Sequence, residues 1–189
     1  MTREMAELTE VDLEALVRRA RAGDHDALGE LYDRYRDRVA RFATGRLGDA
    51  EKAEDVTSET FEGVLRGLSA YRPGTDFEAW LFTIARRRVA DHFRRWARRR
   101  EVELEEARRA ATTAGGPEDA VLAAERRAEV AGAFRRLRPD QQEVLALRVL
   151  GGLTAAQVAK VVGKSEGAVR VAQHRALLDL REAMGVTVR

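Results

Sequence analysis

The stretch from Leu153 to Arg181 constrains the fold of this 189-residue chain more than any other. It contains two short amphipathic patterns separated by Gly163, and each pattern begins at a residue that can cap a helix. Thr154, with Gln157 three residues later, matches a capping box, and Ser165 precedes the second pattern. Glycine ends helices by adopting a left-handed conformation. The stretch therefore predicts two helices joined by a tight turn.

The faces of these two helices predict what the pair can bind. We expect the inward residues to be Ala156, Ala159, Val162, Val169, Ala172, Ala176, Leu177 and Leu180. The polar face of the second helix carries Glu166, Arg170, Gln173, His174 and Arg175. A helix-turn-helix with a basic second helix is suited to the major groove of DNA. An ordinary helical hairpin is the alternative at this point.

Composition favours an all-α chain without redox chemistry or membrane-spanning segments. Aromatic residues make up 6% of the chain, and there are three prolines and no cysteine. The absence of cysteine excludes disulfides and cysteine-based zinc sites, and it is compatible with a reducing cytoplasm. No apolar run reaches membrane-spanning length, and the acidic N-terminus does not resemble a signal peptide. We therefore expect a cytoplasmic location and no membrane contact.

The distribution of charge is more informative than its sum. The formal net charge is only +2, but the 34 basic residues include just three lysines, and the arginines form separate clusters. Clustered arginine suits nucleic-acid contact. A GC-rich genome explains the preference for arginine over lysine equally well, because arginine codons are richer in G and C.

Four amphipathic helices are predicted in the first half of the chain, over 8–20, 24–47, 50–68 and from about Asp76 onward. The third has an apolar stripe of Ala53, Val56, Thr60, Phe61, Val64 and Leu65. Its opposite face is acidic, which by itself indicates a solvated surface.

The loop before the fourth helix and the helix itself form the most basic part of the chain. Pro73-Gly74 predicts a turn, and Thr75 with Glu78 suggests a second capping box. Eight arginines lie between residues 86 and 100 of this helix, beside its aromatic residues. Arginine and aromatic side chains near a loop suit single-stranded nucleic acid, because cations follow the backbone and pockets accept unstacked bases. Core packing of Trp80 is an equally good interpretation.

Residues 99–116 predict a flexible linker between two small helical domains, which span 8–98 and 117–185. The segment combines an acidic run with small residues and Gly115-Gly116. Extended, 18 residues reach about 60 Å, more than the roughly 34 Å of one DNA turn. Two domains on such a linker could contact separated DNA elements.

Catalytic motifs are missing from the sequence. It contains no glycine-rich phosphate loop, no His-Glu-x-x-His and no nucleophile elbow, and its three histidines lie far apart. We expect no catalytic residue, no metal and no cofactor, and hence no enzyme.

Four segments resemble the extracytoplasmic-function (group 4) sigma factors of the sigma-70 family. AEDVTSETF at 53–61 and FEAWLFTIARRRVADHFRR at 77–95 resemble their region 2. LRPDQQEVLALR at 137–148 and the helix pair ending in SEGAVR and HRALLDLR resemble their region 4. The run from Arg170 to Leu177 is similar to the actinobacterial σD-like branch. The resemblance implies an all-α protein that directs promoter-specific transcription initiation.

The resemblance also implies partners and sites. Core RNA polymerase would be bound at the clamp and flap regions, the clamp by Asp55, Ser58 and Glu59. The −10 element, as melted single strand, would be bound by Tyr71, Arg72, Asp76, Phe77, Trp80, Arg87 and Arg88. The −35 element, as duplex, would be bound by Ser165, Glu166, Arg170, Val171, Gln173, His174 and Arg175. Many family members are inhibited by an anti-sigma factor, which would be a further partner.

Two other functions remain open from the sequence. A stand-alone helix-turn-helix transcriptional regulator would bind duplex DNA as a dimer through 153–181. A helical interaction protein without DNA affinity would use its arginines only as a solvated surface.

Overall fold

A computed structural model describes the backbone of residues 2–103 and 121–185 and the side chains of residues 12–98 and 129–185. These ranges contain no β-strand, which confirms the all-α prediction for the part of the chain they cover. The helices are α1 (Thr2–Arg21), α2 (His25–Leu47), α3 (Ala50–Gly67), α4 (Phe77–Glu103), α5 (Val121–Arg136), α6 (Pro139–Leu145), α7 (Ala155–Val162) and α8 (Glu166–Ala183). None of these helices is long and apolar enough to cross a membrane.

The predicted linker is only partly covered by these ranges. Residues 99–103, which we assigned to it, continue α4 as helix. The remainder, 104–116, and the predicted start of the second domain at 117 lie outside the described residues.

Short polar side chains fix the starts of α2 and α3. Asp24 accepts a hydrogen bond from the backbone N–H of Ala27 (3.1 Å), and Asp49 accepts one from Lys52 (3.1 Å). The backbone bond at Asp24 and the Lys52 side chain at Asp49 are the main reasons why both carboxyl pKa values are lowered. Gly48, at φ 68°, ends α2 in the left-handed region between the two helices.

Helices α1 to α4 enclose an apolar core in which Tyr35, Phe42 and Phe82 are fully buried. In α3, Thr60 faces this core as predicted, and its hydroxyl donates to the carbonyl of Val56 one turn earlier (2.7 Å). The buried hydroxyl is therefore satisfied within its own helix. Leu65 was predicted on the same stripe, but it is 57% exposed, so that prediction is wrong.

The predicted helix-turn-helix is confirmed in α7 and α8. Thr154 and Gln157 form a reciprocal capping box, Gly163 ends α7 at φ 67°, and the Ser165 hydroxyl caps α8 by accepting from Ala168 (3.2 Å). The predicted inward face of α7 is partly wrong, because Ala155 is buried and Ala156 is exposed. The cap at Thr154 makes Ala155 the first helical residue, and the buried face follows from it at Val158, Ala159 and Val161.

A π-helical turn, Ala146–Leu150, extends α6 and was not predicted. The backbone N–H of Gly151 closes it by donating to the carbonyl of Ala146 (2.9 Å). Single π-helical turns are frequently found at functional sites.

The two halves of the described chain share one apolar core. Phe82 of α4 and Leu147 of the π-helical turn belong to the same buried cluster, as does Val158 of α7. The sequence suggested that the C-terminal helices form a bundle of their own. They pack instead against α2 and α4 as well as against one another, because α6, α7 and the π-helical turn have apolar surface that α8 alone does not cover.

Polar side chains cross the same boundary. Arg86 of α4 pairs with Glu143 of α6, with 2.8 Å between Nε and Oε1. Arg38 of α2 donates to the carbonyl of Gly151 (2.9 Å) and pairs with Glu78. Burial lowers the pKa of Arg46, whose Nη1 donates to the side-chain oxygen of Gln142 (3.1 Å).

Candidate promoter and polymerase interfaces

The loop at 71–76 is held in shape by its own hydrogen bonds. The Tyr71 hydroxyl donates to the carbonyl of Thr75, and the Thr75 hydroxyl donates to the carbonyl of Arg72 (2.7 Å). Asp76 caps α4 by accepting from the backbone N–H of Ala79 (3.0 Å). The predicted capping box of Thr75 and Glu78 is therefore wrong. The carboxylate one residue later reaches the free N–H, and Glu78 is turned toward Arg38.

Three predicted −10 residues pack together as an aromatic cluster. Tyr71 lies 5.7 Å from Phe77 and 5.0 Å from Trp80, measured between ring centroids, and Phe77 lies 5.6 Å from Trp80. Tyr71 and Phe77 are each only 5% exposed, and Trp80 is half-buried against the core. Burial raises the pKa of the Tyr71 phenol. In this arrangement the three rings pack between the loop and the core.

The predicted −10 arginines differ in their surroundings. Arg72 and Arg87 are exposed, whereas Arg88 is half-buried. The Nε of Arg88 is buried and has no hydrogen-bond partner among the described residues. Its guanidinium lies beside Gly63 of α3. Of these three arginines, Arg72 and Arg87 are the ones whose side chains are exposed to a phosphate backbone.

A cavity of about 600 Å³ adjoins the loop and is lined by residues of both halves. Arg18, Arg34 and Tyr71 line it on the N-terminal side, and Thr154 and Gln157 of the helix-turn-helix line it on the other. Its volume is within the range of small-ligand sites and suffices for a nucleotide-sized group.

Beside this cavity, side chains of α7 contact Asp76 and Glu78 directly. The Gln157 amide donates to Asp76 (3.2 Å) and to Glu78 (2.9 Å), and the Lys160 ammonium lies 3.3 Å from Asp76. In the packed arrangement, therefore, a predicted −10 residue is occupied by the helix-turn-helix.

The predicted polymerase-binding face of α3 is open to solvent at Asp55 and Ser58. Glu59 is half-buried and accepts two hydrogen bonds from Arg95 of α4, at 2.9 and 3.2 Å. Leu65 lies about two turns after Ser58 on the same side of α3, whereas the sequence analysis placed it on the apolar stripe.

The predicted −35 residues occupy the solvent side of α8. Arg170, Val171, His174 and Arg175 are exposed, and Ser165 and Glu166 lie at the start of the helix. Glu166 holds Arg170 through an ion pair of 2.5 Å. Gln173 is half-buried and accepts a hydrogen bond from Arg148 (2.9 Å), a residue that sequence reasoning did not select.

Together these surfaces allow binding at three places. The exposed side of α8 carries cations, an imidazole and an apolar side chain, which are groups suited to contacts in a major groove. The loop borders a cavity, Arg72 and Arg87 are exposed cations, and α3 offers an acidic face with an apolar end.

Comparison with known protein families finds a sigma-70 region in each half of the chain. The family model for sigma-70 region 2 matches residues 31–100, and the model for sigma-70 region 4 matches residues 127–180. The first covers α3, the loop and α4, and the second covers the helix-turn-helix.

Individual proteins give the same assignment. The chain is 48% identical to the ECF RNA polymerase sigma factor BldN of Streptomyces coelicolor over 87% of its own length, and it spans 63% of that protein. It is 37% identical to the ECF RNA polymerase sigma factor SigD of Mycobacterium tuberculosis, over 90% of its own length and 82% of SigD. The structure of CnrH in complex with the cytosolic domain of CnrY shares the fold, with a TM-score of 0.71, 24% identity and coverage of 93% of this chain and 98% of that one.

Region 2 and region 4 thus occur in order, on the segments that carry the loop and the helix-turn-helix, and SigD matches across both. The chain belongs to the sigma-70 family of RNA polymerase sigma factors, in its ECF group.

Proposed function

We propose that this sigma factor directs initiation through three separate surfaces. The face of α3 at Asp55, Ser58 and Glu59 binds the clamp of core RNA polymerase. The loop and the start of α4 hold the melted −10 strand, and α8 reads the −35 duplex. The flap region of polymerase is the partner of region 4.

One observation supports this proposal most strongly. The two surfaces suited to nucleic acid lie on different halves of the chain, and each has the chemistry that its element requires. The loop borders a nucleotide-sized cavity, and Arg72 of the loop and Arg87 of α4 are exposed cations, which suits a melted strand. The exposed side of α8 is part of a capped helix-turn-helix, which suits duplex DNA.

The buried aromatic cluster refines the proposed −10 site. Because Tyr71 and Phe77 are buried, they shape the pocket, and the cations of Arg72 and Arg87 contact the strand. The contacts of Gln157 and Lys160 with Asp76 must open before a strand can reach that carboxylate.

The protein contributes binding energy and no chemistry of its own, and it works in the cytoplasm where polymerase is found. A protein inhibitor of the anti-sigma class is part of the proposal. CnrH, which shares the fold, was solved with the cytosolic domain of CnrY bound, so the fold accommodates a protein partner.

Membership of the σD-like branch stays a prediction, since BldN is more similar to this chain than SigD is.

Run-off transcription tests the proposal. Core RNA polymerase is incubated with a genomic promoter library, with and without the protein, and the transcripts are sequenced. Protein-dependent transcripts that share two spaced upstream elements are expected. No such transcripts, combined with salt-sensitive binding of a palindromic duplex by the protein alone, would favour a stand-alone regulator.

A further inference from the structure

Arg148 connects the segment before the helix-turn-helix to the recognition helix. Its Nε donates to Oε1 of Gln173 (2.9 Å), and Nη1 donates to the carbonyl of Leu153, the residue before the cap of α7. Arg148 belongs to the π-helical turn, outside the helix-turn-helix itself, and it is half-buried. One guanidinium therefore fixes both the start of α7 and a side chain of α8.

The chemistry of this bond defines the orientation of the Gln173 amide. A guanidinium has only donors, so the atom of Gln173 that it contacts must be the carbonyl oxygen. The amide nitrogen is then turned away from Arg148. Within the described part of the chain, this nitrogen has no hydrogen-bond partner.

The pair lies in the groove that the helix-turn-helix offers to DNA. A groove of about 490 Å³ between the start of α7 and the side of α8 is lined by Arg148 and Gln173, together with Thr154, Arg170 and His174. A free donor in this groove is suited to an acceptor on a base edge or a phosphate.

This orientation limits what Gln173 can recognise. A glutamine that reads adenine uses both ends of its amide, because Oε1 accepts from N6 and Nε2 donates to N7. When Arg148 holds Oε1, the amide plane is set by the protein and the nitrogen remains as the contact to DNA. Hydrogen-bond acceptors in the major groove, such as N7 and O6 of guanine or O4 of thymine, match that nitrogen.

We propose that Arg148 is a positioning residue for −35 recognition, which fixes Gln173 as a hydrogen-bond donor to an acceptor edge of one base pair. The proposal rests on the function proposed above. It adds a residue outside α8 that determines which base α8 accepts.

The test is transcription by core polymerase and the full chain from a promoter library randomised across the −35 element. The variants are Arg148→Ala, Arg148→Lys, Gln173→Ala and Gln173→Glu, and Arg135→Ala removes an exposed arginine of α5 as the matched control. Gln173→Glu keeps the bond to Arg148 but cannot donate to a base. It therefore separates positioning by Arg148 from donation by the Gln173 amide nitrogen.

We expect Arg148→Ala to release the amide and to raise the use of adenine at one −35 position by about fivefold, the ratio for one ordinary hydrogen bond. Gln173→Ala and Gln173→Glu should lose the base preference at that same position. Arg148→Lys, which still donates to Oε1, and Arg135→Ala should keep the wild-type preference.

Two results would overturn this inference. One is an unchanged base preference in both Arg148→Ala and Gln173→Glu. The other is a uniform loss at every −35 sequence, which indicates a structural role only. If wild-type protein selects no −35 sequence at all, the proposed function fails instead, so the two failures are distinguishable.

Discussion

Leu150, at the end of the π-helical turn, packs so closely over Gly45 of α2 that position 45 has no room for a β-carbon. These residues belong to different halves of the chain, and their contact is part of the shared core. The backbone of Gly45 is in an ordinary helix, so the reason for glycine here is the close approach, and a larger side chain at position 45 would displace Leu150.

Replacing Gly45 with leucine should therefore drive the halves apart. The chain has no cysteine, so dyes can be attached to cysteines introduced at Ser58 and Lys164, both exposed. We expect Gly45→Leu to lower energy transfer between them. Gly29→Leu, on the same helix with open space around it, is the matched control and should leave the transfer unchanged. Equal transfer in both variants would show that the Gly45–Leu150 contact does not hold the halves together.

The ion pair of Arg86 and Glu143 should contribute to the same arrangement. The charge swaps Arg86→Glu and Glu143→Arg should each reduce energy transfer, and the double swap should restore part of it. Because Arg86 is 41% exposed, we expect a coupling of only about 0.5 kcal/mol, the range for solvent-screened pairs. A double-mutant cycle in urea unfolding measures it, and a coupling of zero contradicts the prediction.

Local signals predicted most of the helices and their caps. Thr154 with Gln157, Gly163 and Ser165 all act as expected, because a cap depends only on residues within one turn. The packing of the two halves was not predictable in the same way. It depends on which apolar faces meet in space, and no pattern within a single helix contains that information.

Predictions of side-chain contacts failed where a competing partner is distant in sequence. Glu78 was expected to cap α4, but Arg38, 40 residues away, pairs with it. The contact of Gln173 with Arg148, 25 residues away, was likewise not predicted. The exposed position of Leu65 also depends on the neighbours of α3, since its spacing alone fits the apolar stripe.

Leu65 should strengthen the binding of core polymerase. We expect Leu65→Ser to weaken binding of the full chain to core enzyme by about fivefold, because roughly 1 kcal/mol of apolar burial is lost at an interface. Its thermal stability should hardly change, since the side chain is 57% exposed. Val130→Ser, at an apolar residue of α5 that is 43% exposed, provides the control. Equal affinities of wild type and Leu65→Ser, measured by fluorescence anisotropy, would exclude Leu65 from the interface.

Arg87 should contact a phosphate of the melted −10 strand. We expect Arg87→Ala to weaken binding of polymerase holoenzyme to a −10 single strand and to reduce the slope of log affinity against log salt by about 0.7, the value for one phosphate contact. Arg41→Ala, at an exposed arginine of α2, should change neither quantity. A salt slope for Arg87→Ala equal to that of wild type would contradict the proposed contact.

The most direct test of the central claim is the position of the two halves on a promoter. Single cysteines replace Ser69, next to the loop, or Lys164, in the turn before α8, and each carries an iron chelate that cleaves nearby DNA. In the complex with core polymerase, the label at 69 should cleave around the −10 element and the label at 164 around the −35 element. Cleavage of the same region by both labels, or −35 cleavage from position 69, would contradict the account.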